Sequence, residues 1–422
     1  MTDAFHTLPE GWVETRLDRV ATVTARIGWK ALTASEYQSD GYAFLATPNI
    51  KNAEIDFTNV NYISEFRYNE SPELKLQVGD VLLAKDGNTL GIVNVVHHLP
   101  RPATVNGSIA VLRPYGMESR FLRYTIQSSF VQGHINSVKD GMGVPHLFQR
   151  DIKRFLLPAP PIEEQRRIAS YLDAETARLD RLAALDHRLA ALLKERRQAV
   201  IDHAVASSSN ASTKLFWRLS LLRDGTHQPP PRVDAGVPLL TARNVSSGTL
   251  RLTAFDTRVS EGDAEILERS LRLRQGDVLL SVKGTIGACA VTPFDFPRAV
   301  LDRNVAVLRP SAGYSSDWLA TVLRSTSLQE QMRLAVTAAA QPGLPLGAIR
   351  ELRIPDVHPD AQSAINRKVR VECAEIDHVL QRLEHKDAVL AERRQALITA
   401  AVTGQFDVTT ASGRNVTEGV TV

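Results

Sequence analysis

The chain is written twice, and that repeat limits the folds open to it more than any other feature. The stretch Leu76-Gln-Val-Gly-Asp-Val-Leu-Leu83 returns as Leu273-Arg-Gln-Gly-Asp-Val-Leu-Leu280, offset by 197. Downstream, Ile109-Ala-Val-Leu-Arg-Pro114 returns as Val305-Ala-Val-Leu-Arg-Pro310, offset by 196, and upstream Asn49-Ile50 answers to Asn244-Val245, offset by 195. A drift of one or two residues is what loop insertions produce. From Pro158/Pro355 to Val205/Val402 the offset then holds at 197 without a gap. It matches Gln165 to Gln362, Ile168 to Ile365, Glu175 to Glu372 and Asp180 to Asp377. Glu195-Arg-Arg-Gln-Ala199 likewise repeats as Glu392-Arg-Arg-Gln-Ala396. A gap-free match over about 48 residues is the signature of a continuous helix, because an insertion would rotate everything beyond it.

Each half therefore reads as a mixed globular unit followed by a long helix. The predicted division is a first globular domain at 1–155, a first helix at 156–206, a second globular domain at 207–352 and a second helix at 353–407. A polar tail occupies 408–422. Strand-like runs lie at 81–84, 109–113, 278–282 and 305–309, rich in Val, Ile and Leu and bounded by Gly and Pro. The run Ser207-Ser-Ser-Asn-Ala-Ser212 reads as a linker between the halves.

Both helices carry an apolar stripe. In the first it is Ile168, Leu172, Leu179, Leu182, Leu189, Leu193 and Val200. In the second it is Ile365, Val369, Ile376, Val379, Leu383, Leu390 and Leu397. Spacings built from 3 and 4 mark a heptad seam, which buries its residues only against another helix. Each stripe packing solely on its own globular unit is the plainer alternative. Matched seams, on helices longer than a domain of about 150 residues needs, favour mutual pairing. An antiparallel arrangement is preferred, since it sets the two globular units at opposite ends of one spacer. The expected fold class is α+β: two α/β domains alternating with two long helices that pair as an antiparallel coiled coil, with a pseudo-two-fold internal repeat.

Composition narrows the function by exclusion. Of 422 residues, 43% are hydrophobic and 23% charged, the profile of a folded soluble protein. No run of about 18 apolar residues occurs, and residues 1–12 lack the pattern of a secretion signal. Cys289 and Cys373 are too few for a disulfide framework or a cysteine-rich metal site. A reduced cytoplasm is the expected location, with no membrane and no metal. His97 and His98 are adjacent, so on a strand they point to opposite faces and cannot share one ion. No phosphate loop, Gly-x-Ser-x-Gly elbow or His-Glu-x-x-His motif is present. Neither an Asn/Asp-Pro-Pro-aromatic methyltransferase motif nor a nuclease cluster of carboxylates and lysine is apparent. The chain reads as non-catalytic.

The most informative local signal is the turn after each Gly-Asp-Val-Leu-Leu strand. It reads Lys85-Asp-Gly-Asn88-Thr89-Leu-Gly91 in the first half and Lys283-Gly-Thr285-Ile-Gly287 in the second. Glycines permit close approach of the backbone to a partner, while Lys, Asn and Thr supply donors suited to phosphates and base edges. A hairpin that merely needs its glycines is the bland alternative. Candidate nucleic-acid contacts are Lys85, Asn88, Thr89, Lys283, Thr285, Arg303 and Asn304, with Thr47, Asn49, Thr241, Arg243 and Asn244 as weaker equivalents. The segments 141–146 and 341–345, ahead of each helix, are either DNA-facing or structural. The net charge of +3 is small, but it is unevenly spread. Residues 207–353 hold 18 basic against 13 acidic side chains, whereas residues 1–155 hold 16 of each.

These features together resemble the specificity subunit of type I restriction–modification enzymes. The resemblance covers about residues 8–405. It rests on Leu8-Pro-Glu-Gly-Trp12, the two Gly-Asp-Val-Leu-Leu strands, and Leu157-Pro-Ala-Pro-Pro161-Ile-Glu-Glu-Gln165-Arg-Arg-Ile168 leading into the helix. Leu179-Asp180 and Glu195-Arg-Arg-Gln198 follow it. The second copy departs, its Ile354-Pro-Asp-Val-His-Pro-Asp-Ala-Gln362 keeping only Pro355 and Gln362. The resemblance implies two target recognition domains, each reading one half of a split double-stranded DNA sequence, and paired helices acting as a ruler for the gap. It implies two methyltransferase (M) subunits docked on the chain and restriction/translocase (R) subunits completing the complex. No cofactor is expected on this chain; S-adenosylmethionine, ATP and Mg2+ are expected on the partners. Alternative readings are a coiled-coil assembly scaffold without DNA specificity, the specificity subunit of a methyltransferase-only complex and, last, an enzyme acting on DNA unaided.

Overall fold

The computed structural model describes residues 8–25, 32–51, 54–139, 145–228, 230–246, 248–337 and 342–408. The chain divides into two compact units, one of residues 1–186 with 385–422 and the other of residues 187–384. Each unit thus holds one globular domain and part of both long helices, a division the sequence reading did not make.

The first unit is built on a four-stranded antiparallel sheet in the order Ala21–Thr24, Ile109–Pro114, Val81–Ala84, Val93–Val95. A three-stranded sheet holds Tyr42–Leu45 between antiparallel Asn61–Ile63 and parallel Ala103–Val105. Val13–Arg16 pairs with Leu156–Ala159, tying the start of the domain to its end. The second unit repeats this plan. Its four-stranded sheet runs Leu219–Asp224, Val305–Pro310, Val278–Ser281, Cys289–Val291. Its three-stranded sheet centres on Val237–Leu240, and Ser212–Lys214 pairs with Arg353–Pro355. The strand Val81–Ala84 is apolar throughout because both of its faces are covered. Val81 and Leu83 enter the core beneath the helix Ser119–Gln127, while Leu82 and Ala84 enter the core shared with Ala43 and Leu45.

The repeated Gly-Asp-Val-Leu-Leu and Leu-Arg-Pro motifs meet across the sheet. Arg113 grips Asp80 with two hydrogen bonds, Nε to Oδ1 at 2.7 Å and Nη2 to Oδ2 at 2.8 Å. Arg309 grips Asp277 in the same way, at 2.7 and 2.8 Å. Both carboxylates are 1% exposed, and a buried charge persists only when paired in this manner.

The long helices run Ile162–Ala206 and Pro359–Val402. Residues 156–159, which the sequence reading placed in the helix, form a strand instead. Gln165 fastens the first helix to its domain: its side chain accepts the Glu118 N–H at 2.8 Å and donates to the Pro160 carbonyl at 2.8 Å. Gln362 does the same with Ser315 and Val357, at 2.9 and 2.8 Å. The divergent second entry is therefore held by the same amide.

Within each unit the helix segments pair antiparallel. In the first, Asp180 meets Arg394 at 3.4 Å and Asp186 meets Lys386 at 2.8 Å. In the second, Arg197 meets Asp377 at 2.8 Å and Ile201 packs with Val369 and Cys373. Of the predicted seam, Ile168, Leu172, Leu179, Val369, Ile376 and Leu383 are buried, Ile168 and Leu172 within the core of the first unit's globular domain; Leu193, Ile365 and Leu390 are half-buried. Leu182, Leu189 and Val379 are exposed, against expectation. The protected positions of the first helix are 172, 176, 179, 183, 186, 190, 193, 197 and 201, and those of the second lie 197 further on. At its middle the seam therefore passes through Ala183, Asp186 and Ala190, and following the leucines steps off it by one residue. Polar seam residues such as Asp186, paired with Lys386, fix register at some cost in stability.

Candidate nucleic-acid interface

In each unit the strand ends gather at one edge. Beyond Val81–Ala84, the Lys85 N–H donates to the Ser108 carbonyl at 2.8 Å, and the Leu147 N–H donates to the Lys85 carbonyl at 2.8 Å. The Gly87 N–H reaches the Pro145 carbonyl at 2.8 Å, and the Asn106 N–H reaches the Leu45 carbonyl at 2.8 Å. Four segments, after residues 45, 84, 105 and 144, are thus laced together. In the second unit the Val282 N–H donates to Asn304 and the Leu344 N–H to Val282, each at 2.9 Å. The Asp302 N–H donates to Leu240 at 2.9 Å and the Arg303 N–H to Thr226 at 3.1 Å. Gly284 packs against Ala242. The structure accordingly brings Thr241, Arg243, Lys283, Thr285, Arg303 and Asn304 to one edge of their domain, and Thr47, Lys85, Asn88 and Thr89 to the corresponding edge of the other.

Their availability differs. Asn88, Arg243, Thr285 and Arg303 are exposed; Thr47, Thr89, Thr241, Lys283 and Asn304 are half-buried. Thr89 donates to the Asp86 carbonyl at 3.3 Å. Asn49 and Asn244 do not face outward, which corrects the sequence reading. Asn49 is 6% exposed, accepts the Ala46 N–H at 2.8 Å and donates to Asn59 at 2.9 Å. Asn244 accepts the Thr241 N–H at 2.8 Å and donates to Arg251 at 3.0 Å. Both amides close their own turns, so their recurrence has a structural cause.

The two lysines are not equivalents either. The backbone bonds equate Lys85 with Val282, since each donates to the 108/304 segment and accepts from the 147/344 segment. Isolated bridges then equate Asp86, facing His146, with Lys283, facing Gly343. Lys85 is only 8% exposed, with Nζ 3.2 Å from the Asp86 carboxylate. The glycines also divide. Gly91 (φ +90°) lies where a Cβ would come 2.6 Å from Gln132 Oε1, and Gln132 clasps its carbonyl at 3.0 Å. Gln329 clasps Gly287 likewise at 3.0 Å. Gly87 (φ +71°) has nothing within 4 Å of where a Cβ would stand. Only the first glycine of each turn leaves room for a partner.

Sequence reasoning missed Asp86, Phe148 and Arg150. His146 lies edge-on to Phe148 at 4.6 Å, and Arg150 covers the other ring at 4.7 Å. A basic residue two positions after an aromatic was the available signal. Of the segments ahead of the helices, residues 141–144 and Gln341 lie outside the described residues, as do residues 409–422 of the tail. Neither cysteine is a ready nucleophile: burial pushes the Cys289 thiol up to about 11 and raises that of Cys373. Among the described residues no group of three His, Cys, Asp or Glu is placed to hold a metal, and no helix is long and apolar enough to cross a membrane.

Residues 9–190 match the family model of the type I restriction modification DNA specificity domain. The EcoKI specificity subunit of Escherichia coli (strain K12) is 27% identical over 295 residues, covering 65% of this chain and 62% of that protein. The chain thus spans less than two thirds of that relative's length. The EcoBI specificity subunit of Escherichia coli is 22% identical over 94% of this chain and 86% of its own. Among solved structures, the HsdS subunit from Thermoanaerobacter tengcongensis superposes with a TM-score of 0.52 at 17% identity, covering 96% of this chain and all (100%) of that one. A chain from a structure describing complex assembly and conformational transition of the type I R-M system gives 0.73 at 18% identity, covering 95% and 100%. With the repeated domain plan and the antiparallel helix segments of each unit, these likenesses show that residues 9–190 match the type I restriction modification DNA specificity domain and that the chain is similar, in fold and over most of its length, to type I restriction enzyme specificity subunits.

Proposed function

We propose that this chain selects the DNA sequence on which a type I restriction–modification complex acts. Each globular domain reads one half of a split double-stranded site, and the helix pairs fix the gap between the halves. Two methyltransferase subunits dock on the chain and restriction/translocase subunits complete the complex. The chain itself is non-catalytic and works in the cytoplasm; S-adenosylmethionine, ATP and Mg2+ belong to the partner subunits. One observation carries this reading: the same four-segment edge is built twice on the same scaffold, while the side chains it offers differ. A scaffold without specificity has no use for two unlike edges.

The chemistry at those edges suits the task. Arg303 and Arg243 are exposed cations able to neutralise phosphates, which gives affinity and salt dependence. Lys283, Thr285 and Asn88 sit on the turns at these edges and carry donors suited to base edges. The test is methylome sequencing of cells with and without the gene. A split N6-methyladenine motif that vanishes with the gene is the expected result. Methylation unchanged by the deletion, or no sequence preference when partner subunits are supplied, would leave only the scaffold reading.

A further inference from the structure

One position of the edge carries opposite charge in the two domains, and its surroundings change with it. In the first domain Asp86 is held by two neighbours: His146 Nδ1 bonds Oδ1, and Lys85 Nζ lies 3.2 Å from Oδ2. In the second domain the equivalent three positions are Lys283, Gly343 and Val282. The acid and both of its partners have been exchanged together, for a base that needs neither. Lys85 and His146 are therefore best explained as supports for a carboxylate at this point of the turn. Lys283 has no acidic partner among the described residues.

A carboxylate in a protein that binds DNA has a cost, because it repels phosphates. Lys85 cancels that charge locally, and the Asp86 side chain remains 23% exposed beside the open Gly87. A carboxylate has about four lone-pair sites, of which these two contacts occupy two. What remains can only accept. An ionised Asp accepts from the exocyclic amine of cytosine or adenine, and its lone pairs repel guanine O6 and thymine O4 at the same place. A lysine ammonium can only donate, so it takes guanine O6 and N7 or thymine O4 and rejects an amine.

We propose that residues 86 and 283 are polarity selectors: Asp86 makes the first half-site present an amine-bearing base, cytosine or adenine. Lys283 makes the second present an acceptor-bearing base, guanine or thymine, at the corresponding position. The inference rests on the DNA-reading function proposed above. It assigns the readout to a residue that shares neither identity nor charge between the copies.

The experiment is methylome sequencing of cells carrying the intact complex with wild-type, Asp86→Asn, Lys283→Glu or Lys85→Met chains. Asparagine keeps the shape of aspartate but also donates, so Asp86→Asn should broaden one position of the first half-site. Discrimination there should fall roughly 5- to 150-fold, the range of one good base contact. The second half-site, unchanged, reports that the chain still folds and assembles. Lys283→Glu should move one position of the second half-site from guanine or thymine to cytosine or adenine. Lys85→Met should lower overall methylation at the first half-site without changing its sequence. Unaltered motifs in Asp86→Asn and Lys283→Glu, with methylation still active, would overturn the selector. A Lys85→Met chain that changed the base read would overturn the supporting role of Lys85. Absence of any split motif in the wild type would overturn the DNA-reading function and the selector with it.

Discussion

Replacing Asp80 with alanine tests whether the repeated Gly-Asp motif is scaffold rather than recognition. The substitution removes three hydrogen bonds: two from Arg113, at 2.7 and 2.8 Å, and one from the Gln77 N–H at 2.7 Å. Breaking a fully buried ion pair costs about 3–5 kcal/mol because the surviving charge is stranded. Here the Arg113 side chain is 32% exposed and also donates to the Lys75 carbonyl at 2.8 Å, so water and that carbonyl keep part of its solvation. The Gln77 amide, by contrast, loses its acceptor. We therefore expect a loss of about 2–4 kcal/mol, near the upper range for charge-assisted bonds. Denaturant unfolding of the complex, followed by hydrogen exchange of peptides from each unit, supplies the assay. The loss should appear in the first unit, and Asp277→Ala should act in the same way on the second. Arg113→Met combined with Asp80→Ala should recover part of the loss by removing the stranded charge. A loss below about 1 kcal/mol, or a double variant no more stable than the single one, would show that the pair does not carry the sheet.

Other substitutions separate scaffold from edge in the same way. Gly91→Ala should cost about 2–4 kcal/mol, combining positive-φ strain with the displacement of Gln132; Gly87→Ala, with open space around it, should cost about 1–2 kcal/mol and act mainly on DNA binding. Thermal melting against DNA affinity distinguishes the two. Gln165→Ala should cost about 1–3 kcal/mol by leaving the Glu118 N–H and the Pro160 carbonyl unpaired, seen as faster hydrogen exchange at residues 117–122. Because burial raises the Cys289 thiol to about 11, its thiolate fraction in the native chain is small and its alkylation should be slow. Between pH about 7 and about 9 the rate should climb in proportion to hydroxide; a rate that levels off near pH about 8.5, as for a free thiol, would contradict that burial.

The repeat disclosed the domain plan because its strongest matches are interactions, each of which needs both partners. Asp80 requires Arg113, Gln165 requires the Glu118 amide, and Gln132 requires a glycine at 91; such pairs recur at 277/309, 362/315 and 329/287. The helix seam was less legible, since its central members are Ala183, Asp186 and Ala190, and hydrophobicity alone draws the eye to Leu182 and Leu189. Antiparallel direction was readable as a preference; its register needed the Asp180–Arg394 and Arg197–Asp377 contacts. At the candidate interface the sequence was least informative. A shared Lys in two short turns suggested equivalence, but the two lysines sit one register apart, Lys85 matching Val282, and only backbone bonds show which side chains coincide.

That shift explains why the interface can vary while the fold does not. The contacts common to both units, through Asp80, Gln132 and Gln165, bind backbone or buried partners behind the edge. None of them involves the side chains at 86, 88, 146, 283, 285 or 303. Exchanging the set Lys85, Asp86 and His146 for Val282, Lys283 and Gly343 leaves every one of those contacts in place. On the selector role proposed for residues 86 and 283, two or three substitutions would change the base preferred at little cost to stability. The copies within one chain are then two outcomes of that freedom on one scaffold. It follows that transplanting residues 85, 86 and 146 as a set into the second domain should preserve stability, whereas moving Asp86 alone should strand a carboxylate without its counter-charge.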